Sequence, residues 1–311
     1  MVKSVRNCAE GIILLIVFAA ATYSQHDAIF EWLRVHTAPP LPPAVEYRDA
    51  PSAVVSEPPA SATSDPLTSA TSDPPTSVIL SESQASEGSQ TFTDPSAPAV
   101  SQNDMDAEIV SVPEPALPLS YNLAIPFTPQ APNEQWGEPY KEACEEASLF
   151  MVHQYYQGMR EGRISADEAD KEIKNIVAFE MELFGAYEDT TTEQTGTLAE
   201  MMYGYERVET IDNPTVEQIK AHVAAGHPVI VPAAGRLLGN PYFTAPGPLY
   251  HMLVVRGYTQ DGRFITNDPG TKRGEAYLYD FDTLMNAMHD WNDGGEITKG
   301  KKVVLVIFPN S

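Results

Sequence analysis

The apolar positions of the chain fall into two regimes. From about residue 140 to 226 they recur with helical spacing, and from 228 onward they alternate or run together as strands do. Positions 144, 147, 148, 151 and 155 share one helical face, so a first helix is expected from Pro139 or Cys144 to about Gln157. A second begins at SADEADKEIKNIVAFEMELF, where Ser165 and Glu168 form a capping box. A short third is expected after Gly196 in TLAEMMYGY. A fourth starts at Thr215, with Gln218 three residues on, and stops at Gly226. PVIVPA, YHMLVVRGY, RFITN, EAYLYD and KKVVLVIF are rich in β-branched and aromatic residues and predict strands. Asp261 and Gly262 mark a hairpin turn. One more helix, DTLMNAMHDW with Asp282 as its cap, lies between the last two strands. Helices first and strands afterwards predict an α+β domain over 121–311, with N-terminal helices packed on a C-terminal antiparallel sheet. Met201, Met202, Met285 and Met288 are expected in its core. Glu180, Glu182 and Asp189 are expected on a solvated helix face and turn.

The first 120 residues follow a different pattern. Lys3 and Arg6 precede the apolar run GIILLIVFAAATY at 11–23, followed by the amphipathic AIFEWLRV. Residues 1–36 therefore read as a signal peptide or an N-terminal membrane anchor, with the possible tether at 9–24. Both readings place the remainder extracytoplasmically. Residues 37–120 are dominated by Pro, Ser, Thr and Ala and contain the tandem SATSDPLT and SATSDPPT. Such a stretch cannot bury enough apolar surface to offset its ordering entropy and is expected to be a disordered linker.

Charge narrows the partners. The net charge is −24, which repels phosphate backbones and argues against nucleic acid. Two cysteines, Cys8 and Cys144, exclude a disulfide-built scaffold. No residue pattern calls for a cofactor. His222 and His227 lack a third ligand at metal spacing.

The remaining chemistry centres on Cys144. A thiol at a helix start gains from the unpaired N–H groups there, and a thiolate–imidazolium pair lowers its pKa further. His251 lies in a strand-like run, and Asp268 follows the next strand in RFITNDPG. Together they supply a nucleophile, a base and an orienting carboxylate. Acyl transfer also needs a donor for the developing oxyanion, for which a side-chain amide and the Cys144 N–H would serve. Taken singly, each residue also has an ordinary structural role as a buried thiol, a core histidine or a turn.

The pattern IPFTPQAP…W…Y…ACEEASLFM, then GHPVIVP, then LYHMLVVRGYTQDGRFITNDPG, resembles the bacteriocin-processing type of cysteine peptidase, family C39, and its stand-alone relatives. The resemblance covers about residues 122–308. It implies a papain-like fold and a peptide or protein substrate. It also implies Cys144 as nucleophile, His251 as general base and acid, Asp268 as orienting residue and Gln130 as oxyanion donor. Gln135 rivals Gln130, and Asn267 rivals Asp268; an extended strand would point Asn267 and Asp268 to opposite faces. Many relatives carry Cys-Gly-Pro at the nucleophile, whereas Glu145 and Glu146 follow here. Acids facing the thiol would raise its pKa. This departure keeps two alternatives in view, a catalytically inactive binding domain and a Cys–His cell-wall amidase.

Overall fold

The computed structural model describes residues 40–50, 116–293 and 295–310. The expected export segment at 1–36 and linker residues 51–115 lie outside the described residues. Five helices are described: α1 Cys144–Tyr156, α2 Ala166–Leu183, α3 Thr192–Tyr203, α4 Val216–Ala224 and α5 Phe281–Ala287. The described strands are β1 Tyr121–Asn122, β2 Arg207–Asp212, β3 Val229–Ala234, β4 Tyr250–Tyr258, β5 Arg263–Asn267, β6 Tyr277–Asp280 and β7 Val303–Phe308. They form one sheet in the order β2-β7-β3-β4-β5-β6, with β1 paired to β4, and every pairing is antiparallel. The domain is α+β.

Local chemistry sets the helix starts. Ser165 caps α2 through the Glu168 N–H. Complete capping boxes open α3 at Thr191/Gln194 and α4 at Thr215/Gln218. The third helix thus begins before the expected stretch, because Thr191 stops the chain's extended run there. Asp280, not Asp282, occupies the N-cap position of α5, and its side chain makes no capping bond.

Strand β2 was not expected. Its sequence RVETID is polar at four of six positions and forms an outer edge of the sheet, so it lacks the apolar signature of a central strand. By contrast, every residue of β3, β4 and β7 is buried, because helices and loops cover both faces. Helix α1 is buried almost all round, including Glu145 and Glu146. Glu180 is fully buried as well, which corrects its expected place on a solvated face: α2 turns it toward Glu146. Met201 is 58% exposed and does not join the core.

Residues 40–50, part of the expected linker, lie against the domain. Val45 bridges to Leu123 in parallel, and Asn122 donates to the Pro42 carbonyl. The Tyr47 ring meets Tyr155 and Tyr156 edge-on at 5.4 and 5.2 Å. Among the described residues, no helix is long and apolar enough to cross a membrane.

Candidate active site

His251 is the second residue of β4, paired with Ala233 of β3. Strand alternation turns its neighbours the other way. The Tyr250 hydroxyl donates to the Thr190 carbonyl and Asp290, and the Met252 sulfur meets Thr195 of α3. The His251 ring instead packs edge-on against Phe243 at 5.3 Å and lies against Gly270. A Cβ at Gly270 would fall 2.8 Å from the ring's Cε1, so the approach requires glycine.

Asp268, just past the end of β5, meets the imidazole. His251 Nε2 lies 2.8 Å from Asp268 Oδ1, with both residues buried. Gly270 N–H donates to the same oxygen at 3.0 Å. On Oδ2, the Tyr279 hydroxyl donates at 2.6 Å and Asn240 Nδ2 at 3.0 Å, while Asn240 also donates to the Tyr279 oxygen. Burial alone would raise the Asp268 pKa. The His251 charge and these donors outweigh it and hold the carboxyl below its ordinary value. Asp268 is therefore a buried carboxylate with four donors, and the ring is fixed through Nε2, which leaves Nδ1 facing outward from the pair. The Asp268 carbonyl packs so closely on Gly274 that a Cβ there would lie 1.7 Å away.

Asn267 points to the opposite face. Its amide donates to the Ile125 and Pro126 carbonyls, and its Oδ1 accepts from Ala276 N–H and Arg256. Arg256 is buried at a bulge in the β4–β5 pairing. It donates to the Leu123 and Ile125 carbonyls and to Asn122, and pairs with Glu161. Asn267 and Arg256 thus clamp the strand entering the 125–130 loop beside the Asp268 turn. Asn240, Tyr279 and Arg256 were not singled out in the sequence. Each is one polar residue among many until the sheet register places it, and no local pattern marks it.

Cys144 opens α1, and no side chain caps that helix end. The thiol is buried and donates to Glu145 Oε2 at 2.9 Å. Among the described residues it shares no hydrogen bond with His251. It lies against the β4 backbone at Met252, whose carbonyl also accepts from Ser148 Oγ at 3.2 Å. Burial, then the Glu145 charge and hydrogen bond, then Glu146, push the thiol well above its usual pKa; the Met252 backbone opposes them weakly. The acids respond to the same burial. Glu145 and Glu146 are raised well above the carboxylate range, and Glu180 is pushed up to about 8, by burial first and by Glu145 second. Burial thus disfavours the charged forms of the thiol and of these carboxyls alike.

Gln130 is buried, and its backbone N–H is held by the Pro269 carbonyl, next to Asp268. Its NH₂ group donates to the Tyr140 and Lys141 carbonyls at 2.9 and 3.0 Å. The amide thus braces the turn leading into Cys144 and is committed to backbone acceptors. Gln135 is exposed. The structure joins His251 to Asp268 and Gln130 to the turn before Cys144; it leaves the thiol with Glu145. Among the described residues, no group of three His, Cys, Asp or Glu side chains could hold a metal ion.

Comparison with known proteins adds a family to this geometry. Residues 122–297, more than half of the chain, match the model of the peptidase C39 like family. A crystal structure from Bacillus anthracis, provisionally described as a C39-like peptidase, aligns with 62% of this chain and 98% of its own, at 16% identity and a TM-score of 0.40. No curated protein matches the sequence.

Proposed function

The chain belongs to the peptidase C39-like family, and from that membership we propose that it is a cysteine peptidase with Cys144 as nucleophile and His251 as general base. The observation that carries this reading is the buried His251–Asp268 pair, already bonded at 2.8 Å. Asp268 orients the ring through Nε2 and stabilises the imidazolium, leaving Nδ1 to take a proton. In the proposed reaction the thiol leaves Glu145 and its proton passes to His251. The sulfur then forms the bond to the scissile carbonyl carbon. The developing oxyanion is met by N–H groups at the uncapped start of α1, that of Cys144 first. His251 returns the proton to the departing amine, and water hydrolyses the thioester to regenerate the thiol. Gln130 in this reading shapes the turn before Cys144, and joins the oxyanion site only by releasing the Tyr140 and Lys141 carbonyls. The domain acts outside the cytoplasm, behind the basic and apolar segment at its N-terminus.

The test is hydrolysis of a quenched fluorescent peptide library by the full chain and by Cys144→Ala and His251→Ala, with folding followed by circular dichroism. Turnover abolished in both folded variants is expected. Turnover that persists in Cys144→Ala refutes the assignment.

The thiol's contact with Glu145 favours one second reading, a peptide-binding domain without hydrolysis. Peptide binding that survives Cys144→Ala, with no turnover by the unaltered chain, would select it.

A further inference from the structure

The three loops that carry the proposed site residues converge on a single cleft. The loop before Cys144 contributes Glu134 and Trp136. The loop before His251 contributes Tyr242, and the turn after Asp268 contributes Gly270, Lys272 and Arg273. The cleft has a volume of about 470 Å³. Gly270 lines the cleft and is also the residue pressed against the His251 ring, so the cleft lies one residue away from the imidazole.

Its walls have a defined chemistry. Trp136 is 43% exposed, a large apolar surface left in water beside the site. Lys272 pairs with Glu134 at 3.2 Å, which neutralises that carboxylate. The Arg273 guanidinium lies over the Tyr242 ring, 4.8 Å from its centroid, and forms no ion pair among the described residues. Stacking orients the planar fork at low entropic cost, and such a fork binds a carboxylate through two parallel hydrogen bonds. The chain as a whole carries a net charge of −24 and repels acidic ligands, so an unpaired arginine at this mouth provides local attraction against that field.

We propose that Arg273, seated on Tyr242, is a specificity-determining residue that selects peptides placing a carboxylate in this cleft. The proposal rests on the peptidase reading, since it assigns the cleft to substrate. The carboxylate can come from an aspartate or glutamate side chain or from the peptide's own C-terminus.

The experiment measures binding by the full chain carrying Cys144→Ala, so that turnover cannot deplete the probe. The probes are degenerate dodecapeptides with a neutral dye, bearing Glu or Gln at a fixed central position, each made as C-terminal acid and amide. Fluorescence polarisation is expected to show about tenfold tighter binding of the carboxylate-bearing pool, the usual scale of one charge-assisted contact. A Glu-over-Gln difference identifies the side chain, and an acid-over-amide difference identifies the C-terminus. Added Arg273→Gln should erase whichever preference appears, and Arg273→Lys should keep part of it. Equal binding of all pools, or a preference unchanged by Arg273→Gln, overturns the proposal. Hydrolysis is assayed separately with Cys144 intact. Its absence defeats the peptidase reading alone, and the binding comparison still decides the role of Arg273.

Discussion

At the scale of single residues, the site divides into a finished half and an unfinished one. Asp268 has all its donors in place, and its carboxylate form is held by them. Replacing it with Asn keeps the shape but loses the charge that fixes the imidazole. The expected loss of kcat is about two to four orders of magnitude with unchanged secondary structure, measured on whichever peptide the library yields. Tyr279→Phe removes one of four donors and should cost far less. Cys144 is the unfinished half. Beside Glu145 it must ionise next to a group that either shares its proton or carries a like charge. Glu145→Gln removes that charge. Iodoacetamide alkylation of Cys144 at pH 8 should therefore run several-fold faster in the variant, and the alkylation profile should shift to lower pH. An unchanged profile would mean that burial alone controls the thiol.

At the scale of elements, helices α1 and α2 meet through carboxyls. Glu146 and Glu180 are buried near each other, and neither carboxyl has a hydrogen-bond partner among the described residues. Glu180 is raised to about 8, so the folded state binds a proton that the unfolded chain has released above its ordinary pKa near 4.3. The sign follows from linkage: this contribution is fully present below about pH 4 and is lost as pH rises through 8. Glu180→Gln keeps the side-chain shape without the titration. Its melting temperature at pH 8 should exceed that of the unaltered chain by several degrees, and the difference should shrink toward pH 5. Helix α3 offers a simpler case. Thr191→Ala removes a complete capping box and should destabilise the domain by about 1 kcal/mol in urea unfolding.

At the scale of the whole molecule, the domain carries a strap from upstream of Tyr121. The segment 40–50 adds a parallel bridge at Val45 and places Tyr47 on the Tyr155–Tyr156 surface. A chain beginning at residue 51 should unfold at lower urea concentration than one beginning at residue 40, by about 1–3 kcal/mol for the aromatic burial lost. Equal stability of the two would show that this strap is not part of the cooperative unit.

What the sequence determined by itself is whatever depends on near neighbours. Capping residues, β-branched runs and Gly stops are local, so helices α1, α2 and α4, the central strands and the α+β class were all legible. The opposed directions of Asn267 and Asp268 follow from strand alternation alone. Only the tertiary structure decided the rest, because it turns on groups far apart in the chain. Burial of Glu180 against Glu146 reverses its expected solvation, for a carboxylate at a helix position looks the same in sequence whichever way the helix rolls. Asn240 and Tyr279 gain meaning only when the sheet brings both to Asp268. The fate of the thiol was settled likewise: sequence proximity supplied Glu145 as a partner at once, while His251, 107 positions away, reaches Cys144 only as far as packing of α1 on β4 allows.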